Sequence, residues 1–245
     1  MPESRARIPA NHERRGFMEN IQIGKVVLVR DSFLTEKDMD LKGKKGIVRL
    51  LYDADPTEEQ SIDEVQVEWT PETLDSFDDD YFYDAFDEEI SWTSYILPAS
   101  VLEQTDETMD ENELAWKKQE IFTRLYLDGL GREGKLIVKA FEKPADPTKK
   151  TPMDCWKEYL EKSLKFPVKC KVCFPYEADD GPVQEGVRVL LTGLNSVDRN
   201  LGILAEISYQ DRPYILPLQD LAAGDSYSKD GKYIDAYGLW LVCIS

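Results

Sequence analysis

Short runs rich in β-branched residues, entered through glycine and left through acidic or proline turns, recur in the last quarter of the chain. They are Gly186-Val-Arg-Val-Leu-Leu-Thr192, Gly202-Ile-Leu204, Tyr214-Ile-Leu-Pro-Leu-Gln-Asp-Leu221 and Tyr237-Gly-Leu-Trp240. Runs of this length bounded by turn formers read as strands, and several in close succession read as a small barrel. A weaker copy lies near the front. Gly24-Lys-Val-Val-Leu-Val-Arg30 lines up with Gly186 to Thr192, Gly46-Ile-Val48 with Gly202-Ile-Leu204, and Val65-Gln-Val-Glu-Trp69 with the run around Tyr214. Leu97-Pro-Ala-Ser-Val-Leu102 lines up with Leu216-Pro-Leu-Gln-Asp-Leu221. The shared order implies an internal duplication of one barrel type.

With 245 residues, each copy is long enough to bury its own core without a disulfide or metal staple. Charge then bounds the partners. Thirty Lys+Arg against 48 Asp+Glu give a formal charge of -18, so a phosphate backbone meets a repulsive surface and nucleic acid is not expected as a partner. Cations and basic protein surfaces are favoured instead. No apolar run approaches the ~20 residues of a membrane span, and the N-terminus has no apolar core after its charges, so the expected location is cytoplasmic, away from the membrane. Cys170 and Cys173 form a C-x-x-C, but in a strand residues three apart face opposite sides, and neither Cys155, Cys243 nor the single His12 supplies a second pair of zinc ligands at a recognisable spacing.

The expected organisation is mainly β (α+β), with two SH3-like small β-barrels joined by a helical connector. Residues 1–17, carrying Arg5, Arg7, Arg14 and Arg15, read as a disordered basic arm. An N-terminal barrel with acidic insertions is expected over 18–105, the helical connector over 106–142, a proline-rich linker over 143–152, and a second barrel with a leading helix over 153–245. Within the connector the apolar period predicts a helix from Glu111 to Leu127 and a shorter one from Glu133 to Phe141. Trp156, Tyr159, Leu160 and Leu164 share one face of a further helix.

Two acidic insertions interrupt the first barrel. Asp53 to Glu64 has oxygen donors at the first, third, fifth and twelfth places of an EF-hand loop, but Glu58 stands where the sharp turn needs glycine, so a solvated hairpin loop is expected. Asp75 to Glu89 mixes carboxylates with Phe77, Tyr81, Phe82, Tyr83 and Phe86 and holds no basic residue. Something must offset that charge. The aromatics either cover the open end of the barrel or serve an interface.

The second half resembles a known family. Trp156-x-x-Tyr-Leu160, Leu164-x-Phe-Pro167, Gly186-x-x-Val-x-Leu191 with Gly193-Leu194, Asp198-x-x-x-Gly202-Ile203, Tyr214-x-Leu-Pro-Leu-x-Asp-Leu221 and Tyr237-x-x-Trp240 occur in the order seen in the CcbP-like calcium-binding proteins. The resemblance covers about Cys155 to Trp240 and implies a compact β-rich domain that binds Ca2+ without an EF-hand, through loop carboxylates and carbonyls. Val187 departs from the pattern, since the family tends to place an acid directly after that glycine.

Calcium takes six to eight oxygens, so several acids must converge from loops. The candidate ligands are Asp198, Asn200, Asp220, Asp225, Asp179 and Asp180, with Asp198 and Asn200 leading because a short Asp-x-Asn turn can aim two side chains and a carbonyl at one point. Asp and Asn also start turns by bonding their own backbone, and Asp220 fits equally as a cap for a short helix after Leu218. Both readings stand on sequence. Catalysis is not expected: His12 lies in the arm, and no nucleophile elbow or phosphate-cradling glycine loop is present. The expected role is that of a calcium buffer or sensor in signalling. The rival role is an adaptor for a basic or proline-rich protein segment, with Trp69, Tyr81, Tyr83 and Trp92 as its aromatic platform.

Overall fold

A computed structural model describes residues 21–35, 39–52, 63–88, 90–141, 149–176, 181–225 and 228–244. The basic arm, all but the end of the Asp53–Glu64 insertion, most of the proline-rich linker, and Asp179 and Asp180 lie outside the described residues. The chain divides into two compact units, Met1–Leu114 and Ala115–Ser245.

The first unit is one antiparallel sheet of β1 (Val26–Val29), β2 (Lys45–Tyr52), β3 (Glu64–Trp69), β4 (Ser94–Pro98) and β5 (Leu102–Gln104) in the order β4-β3-β2-β1-β5. The second holds β6 (Val168–Val172), β7 (Arg188–Asp198), β8 (Gly202–Tyr209), β9 (Arg212–Pro217) and β10 (Leu221–Ala223) in the order β10-β6-β7-β8-β9. Read from the other edge, the two orders are the same. A single 3-10 turn precedes the last strand of each, Ala99–Val101 and Leu218–Asp220. Both sheets are open among the described residues, since the two outermost strands of each are not paired with one another.

Backbone hydrogen bonds fix the correspondence between the copies. Val29 N–H donates to Lys44 O and Gly43 N–H to Val29 O, as Val172 N–H does to Val187 O and Gly186 N–H to Val172 O. Gly43 and Gly186 both sit at positive φ, +81° and +83°, where a side chain is strained, and each admits the chain to the second strand of its sheet. Arg30 N–H donates to Val101 O as Cys173 N–H does to Asp220 O, both at 2.8 Å. The β2–β3 ladder slips at Arg49, and the β7–β8 ladder slips at the matching residue, Thr192. A bulge kept at one position is a designed bend.

This correspondence corrects the repeat alignment read from sequence. Leu97–Leu102 does match Leu216–Leu221, but the three earlier pairings are one strand out of step. β1 corresponds to β6, and Gly186 corresponds to Gly43 rather than Gly24. Each glycine-led, β-branched strand resembles the next, whereas β6 reads Val-Lys-Cys-Lys-Val with no glycine at its entrance. The C-terminal run is also corrected. Tyr237 to Trp240 belongs to a helix, Lys229–Ile244, and not to a final strand.

Two helices, α1 (Pro71–Asp75) and α2 (Asp79–Asp87), lead into and form most of the acidic stretch. Thr70 caps α1, its hydroxyl accepting from Thr73 N–H at 3.3 Å with Pro71 in the first turn, and Asp78 accepts from Tyr81 N–H at 3.0 Å at the start of α2. Asp79 and Asp80 occupy the first turn, where the helix dipole favours negative charge. Phe77, Tyr81 and Phe82 point the other way. Phe77 and Phe82 meet Trp69 and Trp92 edge-to-face at 5.8 and 5.6 Å, and Phe77, Tyr81 and Phe82 pack on one another at centroid distances from 4.1 to 6.3 Å. Charge out and rings in therefore accounts for a composition that looked self-repelling.

Helices α3 (Glu111–Leu125), α4 (Gly131–Phe141), α5 (Pro152–Ser163) and α6 (Lys229–Ile244) complete the chain, and the unit boundary falls inside α3. In the first unit Arg49 binds Glu68 and, at 2.9 and 2.8 Å, both carboxylate oxygens of Glu111. A capping box opens α5: Thr151 accepts from Asp154 N–H at 3.1 Å and donates its own N–H back to Asp154 at 2.9 Å. The second core gathers on Trp156, whose ring lies 5.7 to 6.1 Å from those of Phe141, Tyr237 and Trp240. Trp240 Nε1 donates to the buried Gln119 at 2.6 Å, so α3 and α6 share a satisfied polar contact within that core. No helix among the described residues is long and apolar enough to cross a membrane.

Candidate metal centre

Asp198 closes the β7–β8 turn. One of its carboxylate oxygens accepts from Asn200 N–H at 2.8 Å and from Leu201 N–H at 2.9 Å, so the side chain does hold its own turn. Gly202 follows at φ +71°, and a Cβ there would sit 2.5 Å from the Tyr237 hydroxyl. That hydroxyl accepts from Ile203 N–H at 2.9 Å and donates to Met153 Sδ at 3.5 Å. Tyr237 is fully buried, and burial pushes its pKa up to about 12, with Asp220 adding to the rise. The phenol is thus a neutral strut between α6 and the first residues of β8.

Asp220 ends the 3-10 turn after β9, only 8% exposed. It does not cap that turn. Its carboxylate instead takes a hydrogen bond from the Tyr176 hydroxyl, delivered from the β6–β7 connection, while its backbone oxygen takes one from Cys173 N–H. Burial pushes the carboxyl up from its ordinary value, and the Tyr176 bond works in the opposite direction. Among the described residues Asp220 is bonded to a phenol and to no cation, and a buried acid so placed is the kind of group that a metal ion would relieve.

Asp225 lies beyond β10, exposed, with its carbonyl accepting from Ser228 N–H at 3.1 Å and Ser228 Oγ at 2.6 Å. Asn200 is exposed in the turn that Asp198 closes. Gly202, paired with Asp198 across the hairpin, abuts the Tyr237 hydroxyl, and Asp220 acts on Tyr237 from the 3-10 turn, whereas Asp225 is placed further along the chain. Among the described residues no group of three or more His, Cys, Asp or Glu is arranged to hold a metal ion. Cys170 is buried in β6 and its thiol is pushed up to about 11, while Cys173 is exposed beyond the strand, and neither is bonded to another cysteine. Sequence reasoning did not single out Tyr176, which carries no pattern of its own. Tyr237 was legible as part of the Tyr-x-x-Trp anchor.

The aromatic platform of the first unit is not assembled. Trp69 and Trp92 are buried, and Tyr81 is locked between them, accepting from Trp69 Nε1 at 3.2 Å and donating to Trp92 O at 3.1 Å. Its pKa is pushed up to about 12 by burial. Of the four residues only Tyr83 is substantially exposed, at 47%.

Residues 138–241 match the family model named for CcbP and described as calcium binding. Over that stretch the chain is similar to the CcbP calcium-binding family. The matched stretch spans α5, the whole second sheet and most of α6, so Asp198, Asn200, Asp220 and Asp225 all lie within it. A solved structure, the crystal structure of Anabaena CcbP, is similar at 24% identity and a TM-score of 0.32, covering 37% of this chain and 74% of that one. A search of curated proteins returned no match. Calcium is the ligand that the description of that family names.

Proposed function

We propose that the chain is a calcium-binding protein of the non-EF-hand type, acting as a buffer or sensor rather than as an enzyme, in the cytoplasm. The observation that carries the reading is the family match over 138–241. Asp220 is the ligand we place first, because its carboxylate is buried in that domain beside a phenol. Asp198 and Asn200 contribute from the adjoining turn, Asp225 from the exit of β10, and Asp179 and Asp180 from the β6–β7 connection. The described residues alone do not form a complete oxygen cage, which needs six to eight donors, so the reading depends on those last two acids and on carbonyls and water. It includes an SH3-like form for both sheets, supported by the common strand order, the common bulge and the 3-10 turn before each last strand. It also keeps the arm, connector and linker as separate segments of the chain.

Isothermal titration of the chelator-stripped protein with calcium, at physiological salt and with excess magnesium, tests it. Saturable binding that survives magnesium, and that Asp220→Asn weakens roughly tenfold (about 1.4 kcal/mol), is the expected result. Heat that disappears with salt or magnesium would reduce the effect to a counterion cloud around a charge of -18 and end the proposal.

A further inference from the structure

From Tyr233 to Ile244, helix α6 has one charged side chain, Asp235. A helix that is apolar on all sides normally has all its sides covered. Ile234, Tyr237 and Trp240 are covered by the second core, but Val242 is 77% exposed and Leu239 is half-buried. Ile234, Asp235, Gly238, Leu239 and Val242 follow one another at helical spacing and form one wall of a groove of about 580 Å3, whose other wall is the 3-10 turn and β10. β10 is the outer strand of its sheet, so no further strand of the unit lies alongside.

Gly238 marks the floor of this groove. Glycine in the interior of a helix is unfavourable relative to almost any other residue, and here a Cβ would meet no atom within 4 Å. Packing inside the unit therefore does not require the glycine. The bare backbone leaves room for a side chain coming from outside. At the same wall Asp235 is held above its ordinary value, first by burial and then by Glu133 of α4. Among the described residues no lysine or arginine forms a salt bridge with either carboxylate, so the groove presents aliphatic surface next to two unneutralised acids.

Those two properties select the occupant. A second copy of the chain would bring the same pair of acids and another charge of -18 to the contact, and an anionic lipid surface would be repelled in the same way. A cationic side chain flanked by aliphatic ones meets both requirements. We propose that the groove between α6 and β10 docks a basic, aliphatic-rich segment of a partner protein, with a leucine-sized side chain over Gly238 and a lysine or arginine on Asp235. Asp198, Asn200, Asp220 and Asp225 do not line this docking surface, although Leu218, Gln219 and Leu221 beside Asp220 do.

A random-peptide library displayed on phage, selected on the full chain at physiological salt, tests it. Enriched peptides are then synthesised and titrated by fluorescence anisotropy against wild type, Gly238→Leu, Asp235→Asn and, as a control in the other unit, Glu103→Gln. Gly238→Leu fills the groove while favouring the helix, so it is expected to melt no lower than wild type; Val242→Asp serves as the second blocking variant. The expected outcome is a set of peptides combining lysine or arginine with leucine, isoleucine or valine. Their affinity should fall roughly tenfold in either blocking variant and several-fold in Asp235→Asn, and be unchanged in the control. The proposal is overturned if no peptide is enriched over the blank or if enriched peptides bind the blocked variants as well as wild type. It is also overturned if sedimentation shows wild type self-associating and Gly238→Leu monomeric, since a second copy would then own the groove. Titrating calcium in parallel separates this outcome from the calcium reading: calcium binding should persist in Gly238→Leu.

Discussion

Removing the Tyr237 hydroxyl tests how the candidate turn is held. In Tyr237→Phe the N–H of Ile203, a fully buried residue, loses the acceptor that stands 2.9 Å away. A buried donor left unpaired costs about 1–3 kcal/mol, so a loss of about 2 kcal/mol is expected. Gly202→Ala strains a backbone at φ +71°, about 1–2 kcal/mol, and drives a methyl to within 2.5 Å of the same hydroxyl, a further ~1–3 kcal/mol. The double variant keeps the strain and the unpaired N–H but loses the overlap, because the methyl now occupies the space the oxygen left. It should therefore be less destabilised than the sum of the singles by about 1–3 kcal/mol. Urea unfolding of the full chain reads the cycle, and hydrogen exchange at the Ile203 amide reads the lost bond directly. If Tyr237→Phe stays within about 0.5 kcal/mol of wild type with that amide still protected, or if the two substitutions simply add, the strut does not exist as described.

The pH dependence of the calcium-free protein should carry the mark of Asp220. Its carboxyl is raised in the folded state, so the folded state holds the proton more tightly than the unfolded one, and this group's contribution falls as pH rises from the ordinary carboxylate value through the raised one. Urea midpoints taken across that range should show a decline that Asp220→Asn removes, and a decline equally steep in the variant would rule Asp220 out as its source. At the neighbouring turn, Asp198→Ala should cost about 1 kcal/mol through the two amides it abandons, whereas Asp198→Asn keeps an acceptor and should be nearly neutral in stability. Calcium titration of the Asn variant then separates the two roles, since a ligand carboxylate loses affinity on becoming an amide and a mere turn former does not. In the first unit, Arg49→Ala should destabilise by about 1–2 kcal/mol in thermal unfolding, and adding Glu68→Gln should recover part of that by removing the carboxylate left without its cation. No recovery would mean that the arginine acts through packing.

How far the sequence was legible depended on where each signal lies. The helices from Glu111, near Glu133 and around Trp156 were readable because their apolar period is regular and their ends carry caps, glycines and prolines. The repeat was readable, but its register was not, since register depends on which carbonyl a glycine N–H reaches and identical glycine-led strands hide that choice. Helix α2 was missed although Tyr81, Phe82 and Ala85 stand at helical spacing behind Asp78. The density of carboxylates drew attention to charge rather than period. Helix α6 was missed for a different reason: it is apolar almost all round, so it has little contrast between faces, and the short run Tyr237 to Trp240 reads as a strand. For the site, turn chemistry at Asp198 was legible from the residue type, but the burial of Asp220 was not, because it results from packing against a distant segment.

The duplication lets the two units be compared position by position, and the comparison isolates what the second one adds. The β1–β2 and β6–β7 connections are of equal length between matching hydrogen-bonded ends, which places Phe33 where the second copy has Tyr176 and Leu34-Thr-Glu-Lys37 where it has Glu177-Ala-Asp-Asp180. The matching position to Asp220 is Val101, tied to the chain by the equivalent backbone bond. The first copy thus has an apolar pair, phenylalanine and valine, at the point where the second has a phenol bonded to a buried acid. The frame does not require that acid, since the same strand order, bulge and 3-10 turn form without it. A buried carboxylate that breaks the rule its own duplicate obeys, inside the segment that matches a calcium-binding family, is the reason we propose Asp220 as a ligand rather than a folding residue. On this reasoning calcium titration should locate its site in the second unit alone, and replacing Tyr176 and Asp220 together by the residues of the first copy, Phe and Val, should leave a folded domain with its calcium response gone.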